Sequence, residues 1–254
     1  MSLFDLTGKV AIVTGSSRGI GKAIARQMAA HGAKVVISSR KAPPCKEAAD
    51  EINGEFGAGT AIDVLANISS KDQLRALVEE TRRVFGRIDI LVCNAASNPH
   101  YGPLGSIEDE QFRKIFDNNV LANHWLVQLV APEMIERRDG SIIIISSVGG
   151  MKGSPVIGAY CISKAADLQL ARNLAVEFGP SNVRVNCISP GLIRTDFAKA
   201  LWEDPETYEA VTSESPLRRI GTPDEIAGAA VFLASPAGAF MTGQTIVIDG
   251  GHTI

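Results

Sequence analysis

Cysteine is scarce in this sequence: four residues in 254 (Cys45, Cys93, Cys161 and Cys187), with no CxxC pair and no histidine close to any of them. That argues against a disulfide framework and a thiolate metal centre, and it suits a reducing cytoplasm; no metal site is expected. Excess positive charge is missing as well. The 25 lysines and arginines face 28 acids, giving a formal charge of -3 and an isoelectric point near 5.9. No basic field exists to hold nucleic acid or an anionic membrane surface. No run approaches the ~18–20 apolar residues of a membrane-spanning helix. The opening Met1-Ser2-Leu3-Phe4-Asp5 lacks the charged and apolar regions of a secretory signal. Low-complexity linkers and fixed-period repeats are also wanting. What is present is 45% hydrophobic against 21% charged residues, an ordinary globular balance. The expectation is one domain over residues 1–254 in the cytoplasm, with ample core.

Apolar, β-branched runs alternate with longer helical patterns. Strands are read at 10–13, 34–38, 60–62, 88–93, 142–145, 183–188 and 245–248. Helices are read at about 19–30, 44–56, 70–85, 108–121, 124–137, 159–178 and 223–233. Ile142 to Ile145 are four isoleucines in a row, the appearance of a parallel strand covered on both faces. Seven strands separated by helices predict a doubly wound α/β fold, a seven-stranded parallel sheet flanked by helices on both faces. Only residues 191–221 break the rhythm, mixing prolines, polar groups and bulky apolar groups. They read as a substrate-binding lid.

Directly after the first strand stands Thr14-Gly15-Ser16-Ser17-Arg18-Gly19-Ile20-Gly21. Its glycines permit a tight turn and close backbone approach, and the helix that follows offers free N–H groups to a pyrophosphate. Tyr160-Cys161-Ile162-Ser163-Lys164 places a phenol and an ammonium one helical turn apart. Tyr101 and Tyr208, the two other tyrosines, have Gly105 and Thr212 four residues on, so Tyr160 alone has a lysine partner. Reduction of a carbonyl needs a proton donor, and a phenol of pKa about 10 serves better when a nearby ammonium stabilises its anion.

With these motifs the chain resembles the short-chain dehydrogenase/reductases from Lys9 to Gly251, and a Rossmann-type fold is implied. By that resemblance Asn119, Ser147, Tyr160 and Lys164 are catalytic: Ser147, 13 residues before Tyr160, binds the substrate oxygen, and Asn119 holds a water that links Lys164 to solvent. Ser146 is adjacent, but alternation and the count favour Ser147. Gly15, Ser17, Arg18, Gly19, Ile20 and Gly21 would hold the cofactor phosphates. Asp63 and Val64 would bracket the adenine, with Asn94 and Ala95 beside its ribose; Cys93 and Ala96 depart there from the family's usual asparagine and glycine. Pro190, Gly191, Ile193 and Thr195 would meet the nicotinamide, with Tyr160 and Lys164 also in contact with the cofactor.

Where NAD-dependent members carry an acid after the second strand, this chain has Ser39 and Arg40. A guanidinium binds a 2′-phosphate that a carboxylate would repel, so NADP (NADPH) is the expected cofactor and NAD the lesser alternative. Residues 97–102, 148–157 and the segment after Gly191 should wall the pocket, supplying His100, Tyr101, Met151, Val156, Phe197, Leu201 and Trp202. Such a pocket suits a hydrophobic ketone, aldehyde or secondary alcohol. Asn94–Pro99 and Leu192–Phe197, running on to Leu201-Trp202, are similar to NADP-dependent carbonyl and retinal reductases, many of them peroxisomal. The final Gly251-His252-Thr253-Ile254 is not a Ser-Lys-Leu-type address. A second resemblance, to 3-oxoacyl-carrier-protein reductases, would need basic surface, for which Arg194, Arg218 and Arg219 are candidates. A non-enzymatic NADP sensor or scaffold is the alternative from another class; such relatives typically lose the tyrosine or lysine. The family implies a homotetramer, with a dimer the other possibility, packed through the helix bearing Tyr160, the helix before it and the last strand.

Overall fold

The computed structural model describes residues 2–254, apart from the side chains at positions 200, 201, 207 and 211. Seven parallel strands form one sheet: β1 Val10–Thr14, β2 Lys34–Ser38, β3 Ala61–Asp63, β4 Ile90–Cys93, β5 Gly140–Ile145, β6 Val183–Pro190 and β7 Thr245–Ile248, in the order β3-β2-β1-β4-β5-β6-β7. The four-isoleucine run shows why the sheet is covered twice. Ile143 and Ile145 join a core with α1 (Gly19–Ala30), α2 (Ala42–Phe56) and α8 (Pro223–Ala234), through residues such as Met28, Ile52 and Ile226. Ile142 and Ile144 face the other way, onto α3 (Lys71–Phe85), α5 (Ala122–Glu136) and α6 (Gly158–Phe178), through Leu77, Leu126 and Leu168. Alternating side chains of one strand therefore fill two separate cores.

Local chemistry sets the helix ends. Ser70 caps α3 by accepting from the Gln73 N–H, and Gly86 closes it with a left-handed φ of 79°. Thr222 and Glu225 form a capping box at the start of α8, with Pro223 in its first turn. α2 begins at Ala42, two residues before the expected start, because Pro43 and Pro44 occupy a first turn in which no N–H is needed.

Two expectations are corrected. The helices expected at 108–121 and 124–137 are one rod: α4 (Asp109–Phe116) passes through a π turn at Asp117–Leu121 directly into α5. The extra residue in that turn carries Asn118 and Asn119 into buried positions. The irregular segment 191–221 contains a 3₁₀ turn, Asp196–Leu201, and a helix, α7 (Pro205–Ser213). Strand order reverses between β1 and β4, and in sheets of this topology ligands bind outside the strands' carboxyl ends at that point.

Candidate active site

A cleft of about 1040 Å³ opens at those carboxyl ends, room for a dinucleotide and a small substrate together. Its first wall is the glycine loop. Ser16 ties the loop to β2 by donating to the Val13 carbonyl (2.6 Å) and accepting from the Ser38 N–H (2.9 Å). The Asn94 amide donates to the Thr14 and Gly15 carbonyls at 2.8 and 3.2 Å, so this side chain holds the loop rather than a ligand. Gly15 has φ +65°, and a Cβ on Gly21 would lie 2.5 Å from the Gly15 carbonyl oxygen; both positions require glycine. No side chain caps α1, so its first N–H groups remain free for an anion. Free donors behind a close-approach loop are what a pyrophosphate requires, and a nicotinamide dinucleotide fits the site on that ground.

Gly15, Ser17, Arg18, Gly19, Ile20, Ser39, Arg40, Asn94, Ala95, Pro190, Gly191, Ile193 and Thr195 all line the cleft, together with Ser147, Tyr160 and Lys164. Gly21, Asp63, Val64 and Asn119 do not. Gly21 lies behind the loop, and Val64 packs on the core beneath α3. The wall beyond β3 is made by Ala66, Asn67 and Ile68. Arg18 pairs with Asp196 of the 191–221 segment at 2.9 Å. Arg40 and Lys41 have no ion pair among the described residues.

The chemical end is built on β5 and α6. The Ser146 hydroxyl is buried and donates to the Lys164 carbonyl (2.8 Å), so Ser147, the next residue, presents its hydroxyl to the cleft and to the Tyr160 phenol. Lys164 is 2% exposed, and its Nζ lies 5.8 Å from the Tyr160 ring centre. Nζ donates to the Ile145 carbonyl and to Asp167 Oδ2, both at 2.9 Å. Burial pulls the Lys164 ammonium down, and Asp167 first and then Tyr160 more than restore it, which holds Lys164 above the ordinary lysine value. Tyr160 opens on the cleft but is surrounded by protein deeply enough that burial pushes its phenol above the ordinary value. The Lys164 ammonium acts in the expected direction and, with the Ser147 hydroxyl, offsets part of that push.

Asn119 is wholly buried and its carboxamide is fully used: Oδ1 accepts from the Ser97 N–H (2.8 Å), and Nδ2 donates to the Ser97 carbonyl (3.1 Å) and Ser163 Oγ (3.0 Å). A water could bind at this residue only through its backbone carbonyl. Asp167 and Asn123 escaped the sequence reading. The available signal was their spacing, three residues after Lys164 and four after Asn119, each on the same helical face as its partner.

Of the expected substrate walls, Tyr101, Val156 and Phe197 line the cleft, and the Phe197 ring lies 6.3 Å from that of Tyr160. His100, Met151 and Trp202 do not. The His100 ring contacts the Pro103 carbonyl and the Ser106 hydroxyl, Met151 faces outward, and the Trp202 indole donates to the Thr195 carbonyl beneath the Arg194 guanidinium. The Leu201 side chain lies outside the described residues. Lys152 and His252 meet at one rim, with Nζ donating to Nε2.

The sequence profile described as enoyl-(acyl carrier protein) reductase matches residues 15–253. A Bos taurus protein called dehydrogenase/reductase SDR family member 4 is 43% identical over 246 residues, which are 97% of this chain and 88% of the relative. A Burkholderia cenocepacia gluconate 5-dehydrogenase, solved in complex with NADP and tartrate, superposes with a TM-score of 0.93 at 34% identity, covering 98% of this chain and 97% of that one. A 7α-hydroxysteroid dehydrogenase complexed with NADH and 7-oxo glycochenodeoxycholic acid does so with a TM-score of 0.90 at 38% identity, covering 98% and 95%. The chain therefore belongs to the short-chain dehydrogenase/reductase family, oxidoreductases that work between alcohols and carbonyls with a nicotinamide cofactor.

Proposed function

We propose that the protein reduces a ketone or aldehyde of largely apolar character with NADPH, or runs the reverse oxidation of a secondary alcohol, as a homotetramer. The observation that carries the reading is the meeting of Ser147, Tyr160 and Lys164 in a cleft whose far end is Ser39 and Arg40. NADPH, when bound, supplies the hydride. The Ser147 hydroxyl donates to the substrate oxygen and fixes its place. The Tyr160 phenol gives that oxygen its proton, and the Lys164 ammonium stabilises the phenolate left behind. A proton returning to Tyr160 from solvent would pass Lys164 and a water accepted at the Asn119 carbonyl. Arg18, Gly19 and Ile20 would hold the pyrophosphate through their backbone N–H groups, and Ile193 and Thr195, which line the cleft near Tyr160, would hold the nicotinamide.

One dinucleotide-bound relative carries NADP and the other NADH, so the fold does not choose between them. The choice rests on the residues after β2. No acid stands there to accept from a ribose hydroxyl, and Arg40 and Lys41, which line the cleft, have no ion pair among the described residues. Arg18, which also lines the cleft, would first have to leave its exposed pair with Asp196.

The carrier-protein alternative draws little support from the basic surface it requires. Arg219 is paired with Glu225 at 2.6 Å, Arg218 donates to the Ser213 carbonyl, and Arg194 lies over Trp202.

The test is a screen of ketones, aldehydes and secondary alcohols that follows NADPH absorbance, run beside Tyr160→Phe. The variant should lose about 10²–10⁴-fold in turnover while binding NADPH as the parent does. Turnover within a factor of about two of the parent's overturns the assignment of Tyr160.

A further inference from the structure

Behind Lys164 lies a carboxylate that the reaction described above does not use. Asp167 follows Lys164 by three residues on α6 and has no exposed surface. Its Oδ2 accepts from Lys164 Nζ at 2.9 Å, and its Oδ1 accepts from Asn123 Nδ2 at 3.0 Å. Asn123, on α5 and itself 3% exposed, also donates from that nitrogen to the Asn119 carbonyl at 2.6 Å. Two helices thus meet at one buried anion that touches the lysine directly and reaches Asn119, the residue placed on the proton route, through Asn123. Leu168 and Cys187 beside it are core residues. Taking an ion pair out of water is costly, and apolar side chains of similar volume often do as well or better for stability. A use in the reaction is the more economical account of the pair.

We propose that Asp167, clamped by Asn123, is a positioning residue for the proton transfer: it fixes the Lys164 ammonium beneath Tyr160, and its charge sets the pH at which the Tyr160–Lys164 pair gives up a proton. The inference rests on Tyr160 being the acid. The other titratable groups facing the cluster stay neutral through the working range. The Cys187 thiol on β6 is pushed up to about 12 by burial and then by Asp167, and the Cys93 thiol on β4 is pushed higher still by the same causes. Cys161, next to Tyr160 on α6, is also raised by burial. Arg172, one turn further along α6, is at the surface and donates to Gln169. From β5 comes only the Ile145 carbonyl.

The sign follows from the net charge. With Asp167 ionised, the first proton lost from the pair takes the trio from zero to minus one. Without that carboxylate the same loss takes the cluster from plus one to zero. The second change is easier in a buried site, whichever of the two groups releases the proton. Asp167→Asn keeps the shape and removes the charge. The pH at which alcohol oxidation rises should therefore move down by about one unit or more, the size of effect one close charge produces.

A second measurement needs neither cofactor nor substrate. The ultraviolet absorbance of tyrosinate is titrated in cofactor-free protein, with Tyr160→Phe subtracted to isolate Tyr160. Wild-type Tyr160 should titrate above the ordinary value of about 10, and the Asp167→Asn curve should lie below it. Asp167→Leu, which fills the site with apolar volume, should give the same displacement if the asparagine variant does not fold. Superimposable profiles and titrations for wild type and either folded variant overturn the inference. So does a wild-type Tyr160 that titrates at or below the ordinary value, a result that needs no variant of Asp167. Should Tyr160→Phe stay active, the reading of Tyr160 as acid is what fails, and the absorbance titrations still judge Asp167.

Discussion

At the scale of single residues, cofactor choice makes the sharpest claim. A 2′-phosphate must find cations and donors, and a ribose hydroxyl prefers an acceptor. Among the described residues Arg40 has no ion pair to break before it can bind, and charge-assisted hydrogen bonds contribute about 1.5–3 kcal/mol each. At roughly 1.4 kcal/mol per decade, the parent should bind NADPH about one to two orders of magnitude more tightly than NADH. Ser39→Asp with Arg40→Ala should reverse the order, read by titrating both cofactors at one fixed salt concentration. Equal or tighter NADH binding by the parent would place Arg40 in solvent. These residues were legible in the sequence because they are set by local counting: Tyr160 and Lys164 by one helical turn, Ser39 by its place at the end of a strand. Asp167 was not, although it stands in the next helical turn. An acid on a helix reads as a solvated face until the structure shows that the face is turned into the core. Asp63 and Val64 stand just outside the cleft lining. At the end of β3, Asp63 is exposed and Val64 packs on the core, and the residues that line the cleft there are Ala66, Asn67 and Ile68.

At the scale of elements, strand runs and long amphipathic helices were readable from periodicity, and the irregularities were not. The π turn leaves no mark in the pattern of apolar residues, since α4 and α5 each keep their own. The 191–221 segment looked like loop because its prolines and polar residues hide two short helical pieces. Among the described residues its one ionic tie to the glycine loop is Arg18 to Asp196, both lining the cleft, with side chains more than 60% exposed (72% and 63%). An exposed pair contributes only ~0–1 kcal/mol, so it can act as a latch that opens easily and hardly as a brace. Asp196→Asn should accordingly leave the melting temperature where it is and speed NADPH release a few-fold, measured by stopped-flow displacement. Unchanged release would mean that the segment is held by Ile193, whose strand bridge to Gly221 and buried side chain anchor its base.

At the scale of the whole molecule, the question is which apolar surface the fold leaves over. The apolar density of Leu121–Ile135 and Ala165–Val176 is mostly consumed within the chain, since Leu126, Val127, Val130, Leu168, Ala171 and Leu174 all point into the core beneath the sheet. What remains outward is narrower: Leu121, Ile162 and, at 81% exposure, Val176. A second leftover is the sheet's edge. β7 has a neighbour on one side only, its four residues are half-buried, and Phe240 close before it is fully exposed. An unprotected apolar edge strand invites pairing with another chain. Two separate patches, one on α5 and α6 and one at β7, allow two different two-fold contacts, and two kinds of two-fold contact close into a tetramer. Sedimentation equilibrium at micromolar concentration should therefore return about four times the chain mass of 26.9 kDa. Val176→Lys places a charge on the most exposed residue of the helical patch and should reduce the mass to that of a dimer held through β7, leaving the fold intact because the side chain touches little of its own core. A monomer in the parent protein would mean that these surfaces serve another purpose, and an unaltered tetramer in the variant would move the helical contact away from Val176.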